Sequence, residues 1–173
     1  TLEIVERAAA ADTRVIVVRN DENRGAAHNY NLVFERARGE FFRWHAHDDR
    51  MEPELLERLV ARLDADPSSV LAHSWTRFVD DDGATTEEFR DDLGVTSPSL
   101  VTRIVRIVRR LTYCNAVFGL IRRDVLARTA LIAPFPGSDV PLLYELAVAG
   151  RFAVVPEALF VRRPARSLRA NPT

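Results

Sequence analysis

Two adjacent carboxylates, Asp48 and Asp49, are the side chains of this sequence best suited to chemistry on a charged ligand. They follow an aromatic stretch from Phe41 to Trp44, which predicts a buried strand. Such a strand delivers acids at its carboxyl end to the rim of an α/β sheet, where ligands usually bind. Proteins usually hold Mg²⁺ or Mn²⁺ through one or two carboxylates plus substrate phosphates. The alternative use of the pair is a solvated acidic turn before the helix that begins near Pro53.

A second polar segment lies upstream, between two predicted elements. The β-branched run 14–19 predicts a buried strand of the parallel type, and residues 26–38 predict a helix. Between them, Gly25 permits a positive φ, and Asn23 precedes it by two residues. Asn29 and Asn31 offer amides for hydrogen bonding. Taken alone, this segment is a turn followed by a helix start.

A third segment ends in a carboxylate at a predicted helix N-terminus. Gly137, Ser138 and Asp139 precede a helical pattern over residues 140–149. Either Ser138 or Asp139 suits the capping position of that helix, because a side-chain oxygen there accepts a hydrogen bond from the first turn. The same Asp139 also suits general base chemistry, and the segment by itself does not decide between the two uses.

Composition restricts the class of protein. The chain has 173 residues, 47% hydrophobic and 28% charged, which suits one soluble globular domain. The net charge of −1 gives no basic field for nucleic acid. One cysteine, Cys114, excludes an internal disulfide and fits a reducing compartment, so we expect a cytoplasmic protein, with the inner face of the membrane as the alternative location.

The remaining patterns predict scaffold elements. Residues 1–11, 53–63, 100–111 and 123–130 predict helices, residues 70–79 and 115–121 predict strands, and residues 85–98 predict a mobile loop. Asp80 to Gly83 predicts a turn with Gly83 at positive φ, in preference to a second metal site.

The basic residues of the helix predicted over residues 100–111 have two possible roles. Its apolar side is expected to contain Ile104, Val105, Val108 and Leu111, with arginines as a basic flank. That flank is either a solvated helix face or a contact with an anionic acceptor or a membrane surface.

The ordered set of these segments resembles family-2 glycosyltransferases of the GT-A fold. In that family an Asn-x-Gly-x-x-x-Asn segment leads through a helix to Gly-Glu/Asp-aromatic and then to an Asp-x-Asp-Asp-like metal motif. The matching stretches here are 23–31, 39–42, 45–49, 53–57, 119–123, 137–139 and 150–157. The resemblance implies an α/β fold, a three-layer sandwich with a mixed central sheet.

The same resemblance implies roles for individual residues. Asp49 would hold a divalent cation, Mg²⁺ or Mn²⁺, and Asp139 would be the catalytic base. Asp48, Asn23, Gly25, Asn29, Arg162 and Arg163 would bind a nucleotide-sugar donor. Residues 1–83 would form the donor and metal half of a single domain 1–173, and residues 84–173 the acceptor and base half. A carbohydrate or another hydroxyl compound would be the acceptor.

The implied chemistry is sugar transfer from a nucleotide diphosphate with inversion, because one base and no placed nucleophile favour single displacement. Two other classes stay open. A metal-dependent nucleotidyltransferase would share the sheet and the acidic site. A non-catalytic binding or assembly domain would fit the replacement of the first motif Asp by His45, and of a late His by Ala165 and Arg166.

Family comparison also predicts that two strands precede Thr1. A sheet without them has an unpaired edge, so we expect the chain as given to be dimeric or less stable than a chain extended upstream.

Overall fold

The computed structural model describes residues 2–163; Thr1 and residues 164–173, which include the predicted late-His position, lie outside the described residues. The helices are α1 (Leu2–Ala11), α2 (Gly25–Arg36), α3 (Leu55–Ala65), α4 (Leu100–Arg110), α5 (Arg123–Leu126) and α6 (Asp139–Ala149). The strands are β1 (Phe41–Phe42), β2 (Arg50–Met51), β3 (Ser69–Val79), β4 (Thr85–Phe89), β5 (Leu120–Arg122) and β6 (Arg151–Arg162).

The six strands form one mixed sheet in the order β1-β5-β3-β6-β2, with β4 paired to the distal half of β3. Only β3 and β6 are paired in parallel among these strands; the other pairs are antiparallel. Toward its carboxyl end β6 lies between β3 and β2, with Phe78 opposite Arg162 and Arg50 opposite Val161. This double pairing positions the end of β6 beside the Asp48–Asp49 turn.

Helices cover both faces of the sheet. On one face, Leu55, Leu59 and Leu63 of α3 pack on Ala72 and Val155. The opposite face carries the larger core, to which α2, α4, α5 and α6 contribute Phe34, Ile107, Leu126 and Leu143 together with Trp44. The α3 positions recur at four-residue spacing, which puts them on one helix face. The predicted three-layer α/β sandwich with a mixed sheet is confirmed.

Two loop and strand predictions are wrong. Residues 14–19 form no strand: Val15 to Val18 are all exposed, and among the described residues no strand pairs with them. A β-branched sequence needs a partner strand before its propensity is expressed. Residues 85–98 are not a mobile loop, because β4 pairs with β3 and both Leu93 and Val95 are buried.

Other boundaries also shift. The aromatic strand is only Phe41–Phe42, so Asp48 and Asp49 lie in a turn well beyond it. Residues 115–118 form a 3-10 turn before the short strand β5, and α5 ends at Leu126. Gly25 and Gly83 have the positive φ that the sequence predicts, 80° and 84°.

The predicted apolar face of α4 is half right, because Ile104 and Leu111 pack against the core but Val105 and Val108 do not. Val105 and Val108 are 43% and 58% exposed, whereas Ile107 and Arg103 face the core. The Arg103 guanidinium donates from Nε to the Ala147 carbonyl (2.8 Å) and from Nη2 to the Val148 carbonyl (3.1 Å), at the end of α6. Sequence periodicity alone does not reveal this buried cation, because a charged residue counts as polar in the pattern.

The basic flank of α4 is therefore mostly engaged within the protein. Arg106 donates to the Gly94 carbonyl at 3.1 Å, and Arg110 pairs with Asp92 at 3.5 Å. Both contacts hold the segment before α4 against the helix. No helix within residues 2–163 is long and apolar enough to span a bilayer.

Replacing Arg103 with Met tests this anchoring. The carbonyls at the end of α6 and at Ser97 and Pro98 would lose their donors, so the free energy of unfolding should fall by about 2–4 kcal/mol. Urea denaturation measures the change. Arg109→Met on the same helix is the matched control, because Arg109 is exposed, and it should stay within about 0.5 kcal/mol of wild type. Equal losses in both variants would contradict the anchoring role.

Candidate functional site

Asp49 is a largely buried carboxylate in the turn between β1 and β2, with 8% of its surface exposed. The backbone N–H of Arg163 donates a hydrogen bond to its carboxylate. The pKa of Asp49 is raised to about 6, mainly by burial and also by the charge of Asp48, while Arg162, the Arg163 hydrogen bond and Arg43 oppose the rise. The proton affinity of Asp49 is thus set mainly by desolvation, and cations lie close by.

Asp48 differs from its neighbour in environment. Its side chain is 49% exposed and lies 3.9 Å from the ring of His47, which is itself 90% exposed. The pair therefore offers one solvated and one buried carboxylate, as expected for adjacent residues that point in different directions.

Tyr30, on α2, lies near acids of two distant segments. Burial raises the pKa of its phenol, and the negative charges of Asp49, Asp48 and Asp139 act in the same direction, against Arg162. Coulomb interactions of this kind require proximity, because solvent screens exposed charges beyond roughly 10 Å. Asp49 and Asp139, ninety residues apart, are thus both near one tyrosine. The phenol stays protonated at neutral pH and can donate a hydrogen bond.

Asp139 is the first residue of α6, and Ser138 at the preceding position makes no side-chain capping bond. The Cys114 thiol donates a hydrogen bond to the Asp139 carboxylate. Burial, followed by the charge of Asp139 and this hydrogen bond, raises the pKa of Cys114 to about 12. Cys114 is therefore a neutral donor that orients Asp139.

Asp139 opens onto a cleft of about 760 Å³, large enough for a nucleotide-sized ligand. Its walls come from the start of α2, from the turn before β5, from the loop before α6 and from the end of β6. The lining residues are Arg24, Gly25, Ala26, Ala27, His28, Tyr30, Asn31, Val117, Phe118, Ile132, Ala133, Pro134, Phe135, Pro136, Gly137, Ser138, Asp139 and Arg162.

Three of the predicted site residues therefore line the cleft: Gly25, Asp139 and Arg162. Asp48 and Asp49 do not contribute to its wall, although their charges act on Tyr30, which does. Arg162 donates from Nη1 to Asn115 Oδ1 at 2.5 Å, and its guanidinium carbon lies 5.5 Å from the centre of the Phe118 ring. Arg163 meets the site through its backbone, while its Nε is buried without a hydrogen-bond partner.

The predicted donor ligands Asn23 and Asn29 do not line the cleft. Asn23 Oδ1 accepts the Gly25 N–H at 3.0 Å, and Asn29 Oδ1 accepts from Asn20 Nδ2 at 2.5 Å. Asn31 lines the cleft instead: its amide donates to the Ile132 carbonyl (2.9 Å) and accepts the Ile132 N–H (3.1 Å). A two-way amide pair of this kind fixes the loop that leads to Asp139.

Sequence reasoning missed three further residues around the site. Arg43, between aromatic residues, lies 5.5 Å from the Phe160 ring centre, and burial lowers its pKa while Asp49 raises it. Tyr30 is an ordinary helix residue in the pattern. Asp91, 1% exposed, lies in the segment predicted as a loop. The one usable signal was Arg43 itself, a charge inside a stretch predicted to be buried.

The histidines contribute differently. His28 lines the cleft. His45 Nδ1 lies 3.0 Å from Arg43 Nη1, and burial together with the charge of Arg43 lowers its pKa, although its ring also bonds to the backbone of Asp49. A neutral His45 therefore lies directly behind the Asp49 turn.

The donor set at Asp48 and Asp49 fits an open divalent-cation site. No cluster of three or more His, Cys, Asp or Glu side chains suited to a metal occurs among the described residues. The described residues therefore do not supply a complete set of metal ligands. Mg²⁺ is usually bound by one or two protein carboxylates, and substrate phosphates complete its coordination. The elevated pKa of Asp49 is consistent with this use, because a bound cation would offset the desolvation that raises it.

Comparison with known proteins gives one family match and several structural matches. The family described as "Glycosyl transferase family 2" matches residues 1–129. An uncharacterized glycosyltransferase of Methanocaldococcus jannaschii is 28% identical over 90 residues, 52% of this chain and 31% of that protein.

Two solved structures share the fold. S. aureus TarS has a TM-score of 0.69 at 22% identity, covering 95% of this chain and 29% of that one. The mannosyltransferase PcManGT from Pyrobaculum calidifontis, solved with GDP-Man and Mn²⁺, has a TM-score of 0.63 at 18% identity, covering 98% of this chain and 46% of that one. The predicted GT-A fold is thereby confirmed. The chain spans less than half the length of each of these three relatives.

Asp49 should destabilise the ligand-free protein at neutral pH. Because its pKa rises from 3.8 to about 6 on folding, the folded state binds this proton more tightly than the unfolded chain does. Its destabilising contribution is therefore absent below about pH 4 and grows as the pH rises toward 6. Asp49→Asn should raise the free energy of unfolding near pH 7.5 by on the order of 1–2 kcal/mol, and the difference should vanish near pH 4.

Urea denaturation at both pH values measures this effect. Asp124→Asn is the control, because the Asp124 side chain is 71% exposed in an i,i+4 pair with Arg128, and it should change stability little at either pH. An Asp49→Asn variant no more stable than wild type near pH 7.5 would contradict the desolvated carboxylate.

Proposed function

The chain belongs to glycosyl transferase family 2, and we propose that it transfers a sugar from a nucleotide-diphosphate sugar to an acceptor hydroxyl with inversion at the anomeric carbon. The observation that carries the proposal is that Tyr30, Asp139 and Arg162, contributed by separate segments, line one cleft, and that the charge of Asp49 acts on Tyr30. An anion-stabilising group and a base on one cleft are what such a transfer requires.

In this proposal Asp139 is the general base. Its carboxylate lines the cleft and is held by the Cys114 thiol, and lone pairs remain free to accept the acceptor's hydroxyl proton. As the proton moves to Asp139, the acceptor oxygen forms a bond to the anomeric carbon. The bond from that carbon to the diphosphate oxygen breaks, and its electron pair leaves with the diphosphate. Attack opposite the leaving group inverts the configuration.

Arg162 would bind the departing diphosphate. Its guanidinium lines the same cleft, and the structure shows one of its five N–H donors used by Asn115. Charge-assisted hydrogen bonds to phosphate oxygens strengthen as negative charge develops there. The backbone amide of Arg163 has a different task, since it holds the Asp49 carboxylate.

Asp49, with Asp48 beside it, would hold the divalent cation, Mg²⁺ or Mn²⁺. When bound, the cation would supply Lewis acid stabilisation of the diphosphate. Asp48 is half exposed and available to bind donor hydroxyls. Gly25 allows close approach of the donor to the backbone, since it carries no side chain and no atom lies within 4 Å of its Cβ position. Residues 1–83 would thus serve mainly the donor and 84–173 mainly the acceptor, although Arg162 acts on the donor.

Replacing the proposed base, Asp139, tests the hypothesis that the protein is an enzyme. Asp139→Asn should keep the fold and nucleotide binding while turnover falls by roughly 10² to 10⁴, the usual worth of a positioned base. Transfer from a panel of UDP- and GDP-sugars, followed by release of the nucleotide, measures turnover. Asp124→Asn is the matched control at an exposed site. Unchanged turnover in Asp139→Asn would show that Asp139 is not the general base. The hypothesis of a non-catalytic binding domain would then be favoured.

The cation site has a separate test. Calorimetry with UDP or GDP should show tighter binding when Mg²⁺ or Mn²⁺ is present, and Asp49→Ala should abolish the metal-dependent part because no other buried carboxylate adjoins Asp48 in the turn. If both proteins bound nucleotide equally, with and without metal, Asp49 would lose this role.

A further inference from the structure

A buried polar cluster, Thr76, Asp91 and Asn115, lies directly behind Arg162. Their exposed fractions are 0%, 1% and 3%. Thr76 donates to Asp91 Oδ2 at 3.1 Å, and Asn115 Oδ1 accepts from Arg162 Nη1 at 2.5 Å. The side chain of Asn115 lies beside Asp91 and lowers its pKa, although Asp91 Oδ1 and Asn115 Nδ2 make no hydrogen bond of normal geometry. The three residues come from β3, from the segment after β4 and from the turn before β5.

Burying such a polar cluster lowers the free energy of unfolding, because its groups lose their hydration. Burial raises the pKa of Asp91 to about 6, with Asn115, Thr76 and the charge of Arg162 opposing the rise. An ionised carboxylate is rarely buried unless a cation compensates it, and removing one member of such a group leaves the others unpaired. Among the described residues, Arg162 is the cation whose charge acts on Asp91.

Arg162 is also a side chain that needs help to stay in place. It lies in the cleft wall at the end of β6, and a long arginine side chain loses considerable rotamer freedom when it is ordered. Three interactions hold the Arg162 guanidinium: the hydrogen bond to Asn115, the packing on the Phe118 ring, and the attraction of the Asp91 charge. The remaining N–H donors are left for a ligand.

We propose that Asp91 and Asn115 are positioning residues, which hold the Arg162 guanidinium pre-organised for the diphosphate of the donor. The inference rests on the proposed function, since the diphosphate is the anion assigned to Arg162. Pre-ordering lowers the entropy lost on binding, so the two residues strengthen nucleotide affinity without touching the nucleotide. Outer groups that orient a binding side chain are typically worth about 10- to 100-fold in affinity or activity.

A purely structural role for the cluster makes a different prediction. A cluster that only supports the fold would lower stability, and any effect on affinity would be independent of Arg162. A positioning role acts through Arg162, so its effect on affinity disappears once that guanidinium is gone. Double-mutant cycles separate the two cases.

The first experiment measures UDP and GDP affinity by calorimetry, with Mg²⁺ at a fixed concentration. Asp91→Asn and Asn115→Ala should each weaken binding about 10-fold in the wild-type background. In an Arg162→Met background neither should weaken it further. Equal losses in the two backgrounds would overturn the proposal.

Two milder variants keep the test valid if Asp91→Asn fails to fold. Thr76→Val removes the hydroxyl bonded to Asp91 at nearly constant volume, and Thr76→Ser retains it. Thr76→Val should weaken nucleotide binding, and Thr76→Ser should bind nucleotide as the wild type does. Ser69→Ala, which removes a buried hydroxyl at the other end of β3 that is bonded to Asp66, is the matched control and should leave affinity unchanged. Equal affinities for Thr76→Val and Thr76→Ser would count against the proposal.

The second experiment needs no nucleotide, so it separates this inference from the proposed function. The pKa of Asp91 is followed by NMR titration in wild type and in Arg162→Met. Because the charge of Arg162 lowers this pKa, its removal should raise the pKa above about 6. A pKa unmoved by Arg162→Met would overturn the positioning role even if nucleotide binds. A raised pKa in a protein that binds no nucleotide would support the network and contradict the sugar-transfer function.

Discussion

The pairing of β6 with strands on both of its sides is the constraint on which the site depends. Toward its carboxyl end β6 is parallel to β3 on one side and antiparallel to β2 on the other. The β2 pairing brings the turn containing Asp49 to the backbone of Arg163. The β3 pairing places Arg162 opposite Phe78, two residues beyond Thr76, whose hydroxyl bonds to Asp91. Between Val155 and Phe160, β6 uses more residues than β3 uses between their partners Ser74 and Thr76, and this irregularity sets which β6 side chains reach the cleft.

The buried charges of the site lower the stability of the folded protein. Asp49 and Asp91 are both desolvated carboxylates whose pKa rises to about 6, and Arg162 acts on both. One guanidinium therefore compensates two buried acids while it remains available to the cleft. A site of this kind favours an incoming diphosphate and cation, because the ligand's charges complete pairings that the protein leaves incomplete. Stability and binding are thus opposed at the same residues.

Much of the scaffold could be predicted from local sequence. The spacing of Leu55, Leu59 and Leu63 predicted α3, and the positive φ of Gly25 and Gly83 followed from turn chemistry. The failures have one physical origin, which is dependence on distant partners. The run 14–19 has strand propensity but no described partner strand, and β4 has a polar sequence but is held by β3.

The site was predictable in the same uneven way. Asp139, Arg162 and Gly25, which line the cleft, were predicted as site residues because family resemblance gave their place in the order of segments. Asn29 was chosen over Asn31, two residues on, because both are amides on one helix and only the fold shows which of them faces the cleft. Arg43, Asp91 and Asn115 act through burial and through each other, and no local pattern encodes those contacts.

The central claim is that Asp49 and Arg162 belong to one site for a metal–diphosphate ligand, and paramagnetic NMR tests it most directly. Mn²⁺ titrated into isotope-labelled protein in the presence of UDP or GDP broadens the resonances nearest the ion. We expect the backbone amide of Arg163, which bonds to Asp49, and the ring of Tyr30 to broaden first, and only weakly without nucleotide. Broadening centred instead on the acidic turn from Asp80 to Gly83, or unaffected by nucleotide, would contradict it.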